Sequence, residues 1–244
     1  MSLDTKYDHF YRADAGRAAH ADVVLNGWPR DRVQAIVHLP LQGEAILDVG
    51  CGDGRLLYQF RHRFKRLVGL EYSANRLAAA EAQLQGLPFE GICGSVEAMP
   101  QLATGSIDAI VSADVIEHVP DVYLAADEMF RVLRPGGVLA INTPNIAFIK
   151  KRLRLLVGRF PATSQPNEGL GSDVMFDGGH LHYFTYRSLT LLLQRSGFVV
   201  EWREGFGQLG RLHNFWPSLL SVGVQLVARK PSAPSAGLTV RQVA

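Results

Sequence analysis

Cysteine is nearly missing: Cys51 and Cys93 are the only two in 244 residues. That is too few for a disulfide framework, and a reducing cytoplasm is the compartment such usage suits. An excess of one charge sign is missing as well. With 25 basic and 23 acidic side chains the formal net charge is +2, which argues against nucleic acid as a partner, since such proteins carry a strong basic excess. No apolar run is long enough to span a bilayer. The first ten residues hold Asp4, Lys6 and Asp8 where a signal peptide needs an apolar stretch, so a cytoplasmic location is expected. No fixed period repeats, which excludes solenoids and propellers. What remains is an ordinary globular composition, 47% hydrophobic and 20% charged, in a length that suits one large α/β domain with insertions.

The order of elements gives the fold class. Ala45 to Val49 is a short apolar run ending in Gly50, Gly52 and Gly54, and Leu56, Leu57, Phe60 and Phe64 follow at helical spacing. A strand at Leu67–Leu70 precedes an alanine-rich helix over Ala74–Gln85, stopped by Gly86 and Pro88. Strands are expected at Phe89–Cys93, Ile107–Ser112 and Val138–Asn142, with a helix over Val122–Leu133 closed by Pro135, Gly136 and Gly137. Alternation of this kind implies a parallel sheet with helices on both faces. After Pro144 the rhythm breaks, and it returns with Leu189, Leu192 and Leu193 on one helical face and strands at Phe198–Trp202 and Val222–Ala228.

The sharpest chemical signal is Ile46-Leu47-Asp48-Val49-Gly50-Cys51-Gly52-Asp53-Gly54, a glycine loop between a buried strand and a helix, where a ligand can approach the backbone closely. A dinucleotide site wants GxGxxG; the spacing here is GxGxG, which disfavours a nicotinamide-dependent oxidoreductase and suits a nucleoside with an amino-acid tail. Asp48 can accept a hydrogen bond from an ammonium group. Glu71, closing the second strand, is placed to accept both hydroxyls of a ribose.

This run, together with Gly69-Leu70-Glu71-Tyr72-Ser73, the stretch Ile107 to Val119 and Leu133-Arg134-Pro135-Gly136-Gly137, resembles class I S-adenosylmethionine-dependent methyltransferases in order and spacing. The resemblance implies a Rossmann-like three-layer α/β/α sandwich, with a seven-stranded, mostly parallel sheet whose last strand is antiparallel. It implies S-adenosylmethionine as cofactor, held by Asp48, Gly50, Gly52, Gly54, Glu71 and Tyr72. Ser95, standing where an acid is common, and the Val96 backbone would meet the adenine, and Ala113 and Asp114 would line the methionine portion. His180-Leu181-His182-Tyr183-Phe184-Thr185 is similar to small-molecule O-methyltransferases, those of ubiquinone biosynthesis included, in which the histidine faces the acceptor. Asn142-Thr143-Pro144-Asn145 and the segment through Pro161 also resemble a methyltransferase-like protein of methionine biosynthesis, which implies an alternative: a partner or regulator of another enzyme.

His118 and His180 are the candidate bases, since an imidazole titrates near neutral pH and can take a proton from an attacking hydroxyl; the other reading of His118 is a cap on the turn before Pro120. His118, His180 and His182 with Glu117 and Asp114 also suggest a divalent cation, but no pair has the i, i+4 ligand spacing and no metal is expected. Residues 145–159 read as a basic amphipathic helix, with Ile146, Ile149, Leu153, Leu156 and Val157 on one face. It either covers the active site, guides an anionic substrate or touches anionic lipid. Tyr7, His9, Phe10, Tyr11 and Arg12 form an aromatic, basic cluster read as a lid or a core-packing helix. The expected division is a helical lid over 1–40, a catalytic domain over 41–230 with an insertion at 145–182, and a disordered tail over 231–244.

Overall fold

The computed structural model describes residues 5, 6, 9, 20–164 and 175–232. Strand β1 (Gly43–Val49) sends Ala45, Leu47 and Val49 into one apolar layer and Ile46 into another, as the two-residue period of a strand requires. A strand apolar on both faces needs cover on both. Helices α1 (Arg32–Val37), α2 (Arg55–Phe60) and α3 (Ala74–Gln83) cover the Ile46 side with Ile36, Leu57, Phe60, Leu77 and Ala80. Helices α4 (Val122–Val132) and α6 (Tyr186–Arg195) cover the Leu47 side with Ala125, Met129, Leu189 and Leu193. Each fully buried leucine here contributes about 2 kcal/mol of burial free energy.

The remaining strands are β2 (Phe64–Glu71), β3 (Phe89–Cys93), β4 (Ile107–Ala113), β5 (Leu133–Pro144), β6 (Val199–Glu204) and β7 (Gly223–Arg229). They complete one seven-stranded sheet in the order β3-β2-β1-β4-β5-β7-β6. β1 to β5 are parallel, and β7 is antiparallel to both β5 and β6. This is the three-layer α/β/α sandwich expected from the sequence. The order reverses between β1 and β4, and a crevice opens at the carboxyl ends of strands beside such a switch.

Two expectations are corrected. Helix α4 stops at Val132, and Pro135, Gly136 and Gly137 lie inside β5 rather than closing the helix. A register shift between Ile107 and Ala109 accommodates them, and Gly136 supplies the positive φ, +77°, of the irregular step. The helix expected over 145–159 spans only Ile149–Leu156 (α5). Buried Asn145 donates its amide to the carbonyls of Ser218 and Ser221 and accepts from Ala147 N–H, so residues 145–148 form a turn against α8 (Pro217–Leu220), which follows α7 (Leu212–Phe215). No residue of α5 is buried: its apolar face does not cover the active site but is turned outward. Of the N-terminal cluster, Tyr7, Phe10, Tyr11 and Arg12 lie outside the described residues, as do 233–244 of the expected tail. Cys51 and Cys93 are both free thiols.

Candidate active site

The glycine loop leaves β1 with Gly50, Gly52 and Gly54 all in the left-handed region, at φ +71°, +58° and +81°, where a side chain is strained. At Gly50 a Cβ would also stand 2.5 Å from a Val115 methyl. The second strand ties the loop down: Gly50 and Cys51 donate their N–H groups to the Leu70 carbonyl at 2.7 and 3.0 Å, and Gly52 N–H donates to Glu71 Oε2 at 2.9 Å. The other Glu71 oxygen accepts from Ser73 N–H at 3.0 Å. Glu71 is therefore a fixed carboxylate at the end of β2, with Arg76 Nη1 3.7 Å away.

Beside this loop lies a cavity of about 510 Å³. Asp48, Gly50, Glu71, Tyr72, Ser95, Val96, Ala113 and Asp114 line it together with His118 and His180. Gly52 and Gly54 shape the loop without lining the cavity. Asp48 is buried, and that burial, followed by the neighbouring Glu71 charge, pushes its carboxyl well above the usual range. Two acids crowded in this way favour a cationic ligand. At the adenine position expected from the sequence, the Ser95 hydroxyl donates to Glu97 Oε2 at 2.9 Å, while Glu97 Oε1 accepts from Asp121 N–H at 2.7 Å.

The opposite wall is built from side chains. Asp114 has a left-handed φ of +52°, a strained state for a residue with a side chain, and Arg32 of α1 reaches it at 2.5 Å. Glu117 is buried, accepts from the Thr143 hydroxyl at 2.8 Å through Oε2, and has no hydrogen-bond partner at Oε1. His118 and His180 meet edge to face, with ring centroids 4.6 Å apart. The Gly179 carbonyl lies 3.1 Å from His118 Nδ1; a carbonyl only accepts, so Nδ1 carries the proton and Nε2 the lone pair.

His180 follows the same logic through two residues. Fully buried Asp177 takes hydrogen bonds from Thr163 N–H and hydroxyl, Ser164 N–H and hydroxyl, and the Tyr183 hydroxyl, at 2.5 to 3.1 Å. Burial works to raise the Asp177 carboxyl, but the donors from Ser164 and Thr163 outweigh it and hold it below the usual range. Asp177 is ionised, the single Thr163 hydroxyl proton goes to it, and the Thr163 oxygen, 2.5 Å from His180 Nδ1, must accept. His180 Nδ1 then carries the proton and Nε2 the lone pair. Burial, and then the neighbouring His180, which resists a second imidazolium beside it, lower His118 to about 4. Burial also lowers His180, but Asp177 and Asp114 oppose the shift.

Of the groups suggested for a cation, Glu117, His118 and His180 bring ligand atoms within 4.8 Å of one another. His182 lies apart, against the Pro120 carbonyl. Burial, then the Asp114 charge, raises the Glu117 carboxyl well above its ordinary range. Arg32, Arg76, Thr163 and Asp177 were not singled out by sequence reasoning. Asp177-Gly178-Gly179 carried a turn signal; the reach of Arg32 to Asp114, 82 residues on, left no local trace.

Residues 47–141 match the model of the methyltransferase domain family. Those residues carry the methyltransferase-domain pattern. Over 159 residues it is 31% identical to a protein of Mycolicibacterium smegmatis named probable S-adenosylmethionine-dependent methyltransferase, covering 65% of this chain and 53% of that one. Over 107 residues it is 36% identical to the ubiquinone biosynthesis O-methyltransferase of Nitrobacter winogradskyi, covering 43% of this chain and 40% of that one. The chain thus spans about half the length of the curated relatives it matches. In fold it is similar to an S-adenosylmethionine-dependent methyltransferase of Methanosarcina mazei, with a TM-score of 0.60 at 22% identity over 87% of this chain and all of that one.

The cofactor of such domains is S-adenosylmethionine, and the cavity fits it. The buried acid pair, Asp48 and Glu71, suits a ligand that carries an ammonium and a sulfonium. Gly50, left-handed and in the cavity wall, keeps that part of the loop clear of a side chain. Glu71, anchored at both oxygens, keeps a second lone pair on each.

Proposed function

We propose that this protein transfers the methyl group of S-adenosylmethionine to a hydroxyl oxygen of a small-molecule acceptor, with His180 as general base. The cofactor supplies an activated methyl on a positively charged sulfur. Asp48 would hold its ammonium group, Glu71 its ribose, Ser95 and Val96 the adenine edge, and Ala113 and Asp114 the methionine portion, with Gly50, Gly52, Gly54 and Tyr72 shaping the approach. The observation that carries the reading is His180 itself, which lines the same cavity with its Nδ1 engaged by Thr163.

A hydroxyl must lose its proton as it is methylated, and a neutral imidazole is the side chain fitted to take it at neutral pH. His180 serves better than His118, because Asp177 and Asp114 stabilise the imidazolium that forms, whereas burial and His180 oppose a charge on His118. The cavity volume falls in the range of small-molecule sites, roughly 300–1,000 Å³. Methylation at oxygen is also the activity named for the ubiquinone-biosynthesis relatives.

Incubation with methyl-labelled S-adenosylmethionine and a panel of phenols, catechols and aliphatic alcohols tests the proposal. Label is expected on the oxygen of at least one acceptor. A protein that binds the cofactor but labels nitrogen acceptors alone, or none in any panel, overturns it and favours the partner-protein reading.

A further inference from the structure

We propose that α5 and the turn after it are a docking surface for an anionic phospholipid bilayer. Apolar side chains are exposed there in a cluster: Leu155 at 65%, Leu156 at 81% and Val157 at 71% relative accessibility, with Leu153 at 53%. Exposed contiguous apolar surface of this kind marks an interaction site rather than ordinary surface scatter. Five cations share the segment: Lys150, Lys151, Arg152, Arg154 and Arg159, with no acid between Asn145 and Phe160. A protein partner with an apolar groove needs the leucines but not this charge, and a second copy of the chain would bring like charges together. An anionic membrane surface matches both features, since apolar side chains enter the acyl boundary while Lys and Arg meet the headgroups.

The segment is fixed at both ends. Asn145 ties its start to α8, and the Lys151 ammonium donates to the Ala162 carbonyl, next to the Thr163 that supports His180. Beyond the Asn145 contact, Phe215 at the end of α7 and Trp216 between α7 and α8 are exposed too, and tryptophan is a type enriched at bilayer interfaces. Among the described residues no helix is long and apolar enough to cross a membrane, so the contact lies on the surface. This inference does not depend on the methyl-transfer reading.

Vesicle sedimentation with the full chain tests it, using phosphatidylcholine vesicles with and without phosphatidylglycerol. Co-sedimentation is expected only with the anionic vesicles, and it weakens as salt screens the charges. Leu155→Ser with Leu156→Ser is expected to reduce partitioning at least about tenfold, and Lys150→Gln with Arg152→Gln about 25-fold, roughly fivefold per cation. Because these side chains are exposed, the variants should melt as the parent does. Equal binding to neutral vesicles, no binding to either, or partitioning unchanged in both variants overturns the proposal, as does a leucine-dependent dimer in size-exclusion chromatography without vesicle binding.

Discussion

The two walls of the cavity are held in different ways. On the cofactor side, the glycine loop and Glu71 are fixed by backbone groups of neighbouring parallel strands, through Leu70 O, Gly52 N–H and Ser73 N–H. On the proposed acceptor side, His118 and His180 stand on short turns, and their orientation is set by the Gly179 carbonyl, Thr163 and Asp177. A sheet fixes geometry through its ladder, so a side-chain change there leaves the frame standing. A wall built on one buried carboxylate changes as a unit. The first wall suits a ligand shared by many enzymes, and the second is where specificity can vary without disturbing the sheet.

Substitutions on the acceptor side should separate the two walls. The largest effect is expected from His180→Ala: kcat falls by about 10²- to 10⁴-fold, the range of general-base catalysis, while S-adenosylhomocysteine affinity by calorimetry stays within about twofold, a margin well under one hydrogen bond. A parallel loss of cofactor affinity would join the two walls and break the distinction. His118 comes next, through stability. Its imidazole is lowered from 6.5 to about 4 in the folded protein, so between those values the unfolded chain binds the extra proton and acid favours unfolding. The stabilisation is fully present above pH 6.5 and lost as pH falls toward 4, a swing of about 3 kcal/mol. His118→Gln should flatten that part of the stability profile in urea titrations at stepped pH; an unchanged slope would mean that the ring is not held neutral. Thr163→Val should have the smallest effect, lowering kcat about fivefold, the net worth of one hydrogen bond near 1 kcal/mol. Thr163→Ser should restore it, together with the Nδ1-protonated tautomer of His180 read by nitrogen NMR. A tautomer indifferent to both substitutions would remove Thr163 from the account.

The contrast between the walls also explains what could be read from the sequence. Strands alternate every two residues and end in glycines, so Ala45–Val49 and its loop were legible locally, and Glu71 followed from its place at the end of the next strand. The pair His118 and His180 could be named, but their meeting at 4.6 Å depends on a 62-residue separation that no periodicity reports. Asp177 was invisible as a hub because its five donors come from residues on both sides of a long loop. The outward face of α5 stayed open between two readings because amphipathic spacing says which side chains share a face, not whether anything covers it. Buried Asn145, by engaging α8, shortened that helix and fixed its position.

Calorimetric titration of S-adenosylhomocysteine into the full-length chain and into Glu71→Gln tests the central claim most directly. The account predicts one site per chain, weakened about 30-fold in the variant through loss of a charge-assisted hydrogen bond of about 2 kcal/mol. No heat of binding at millimolar ligand, or equal affinity in the two proteins, would contradict it.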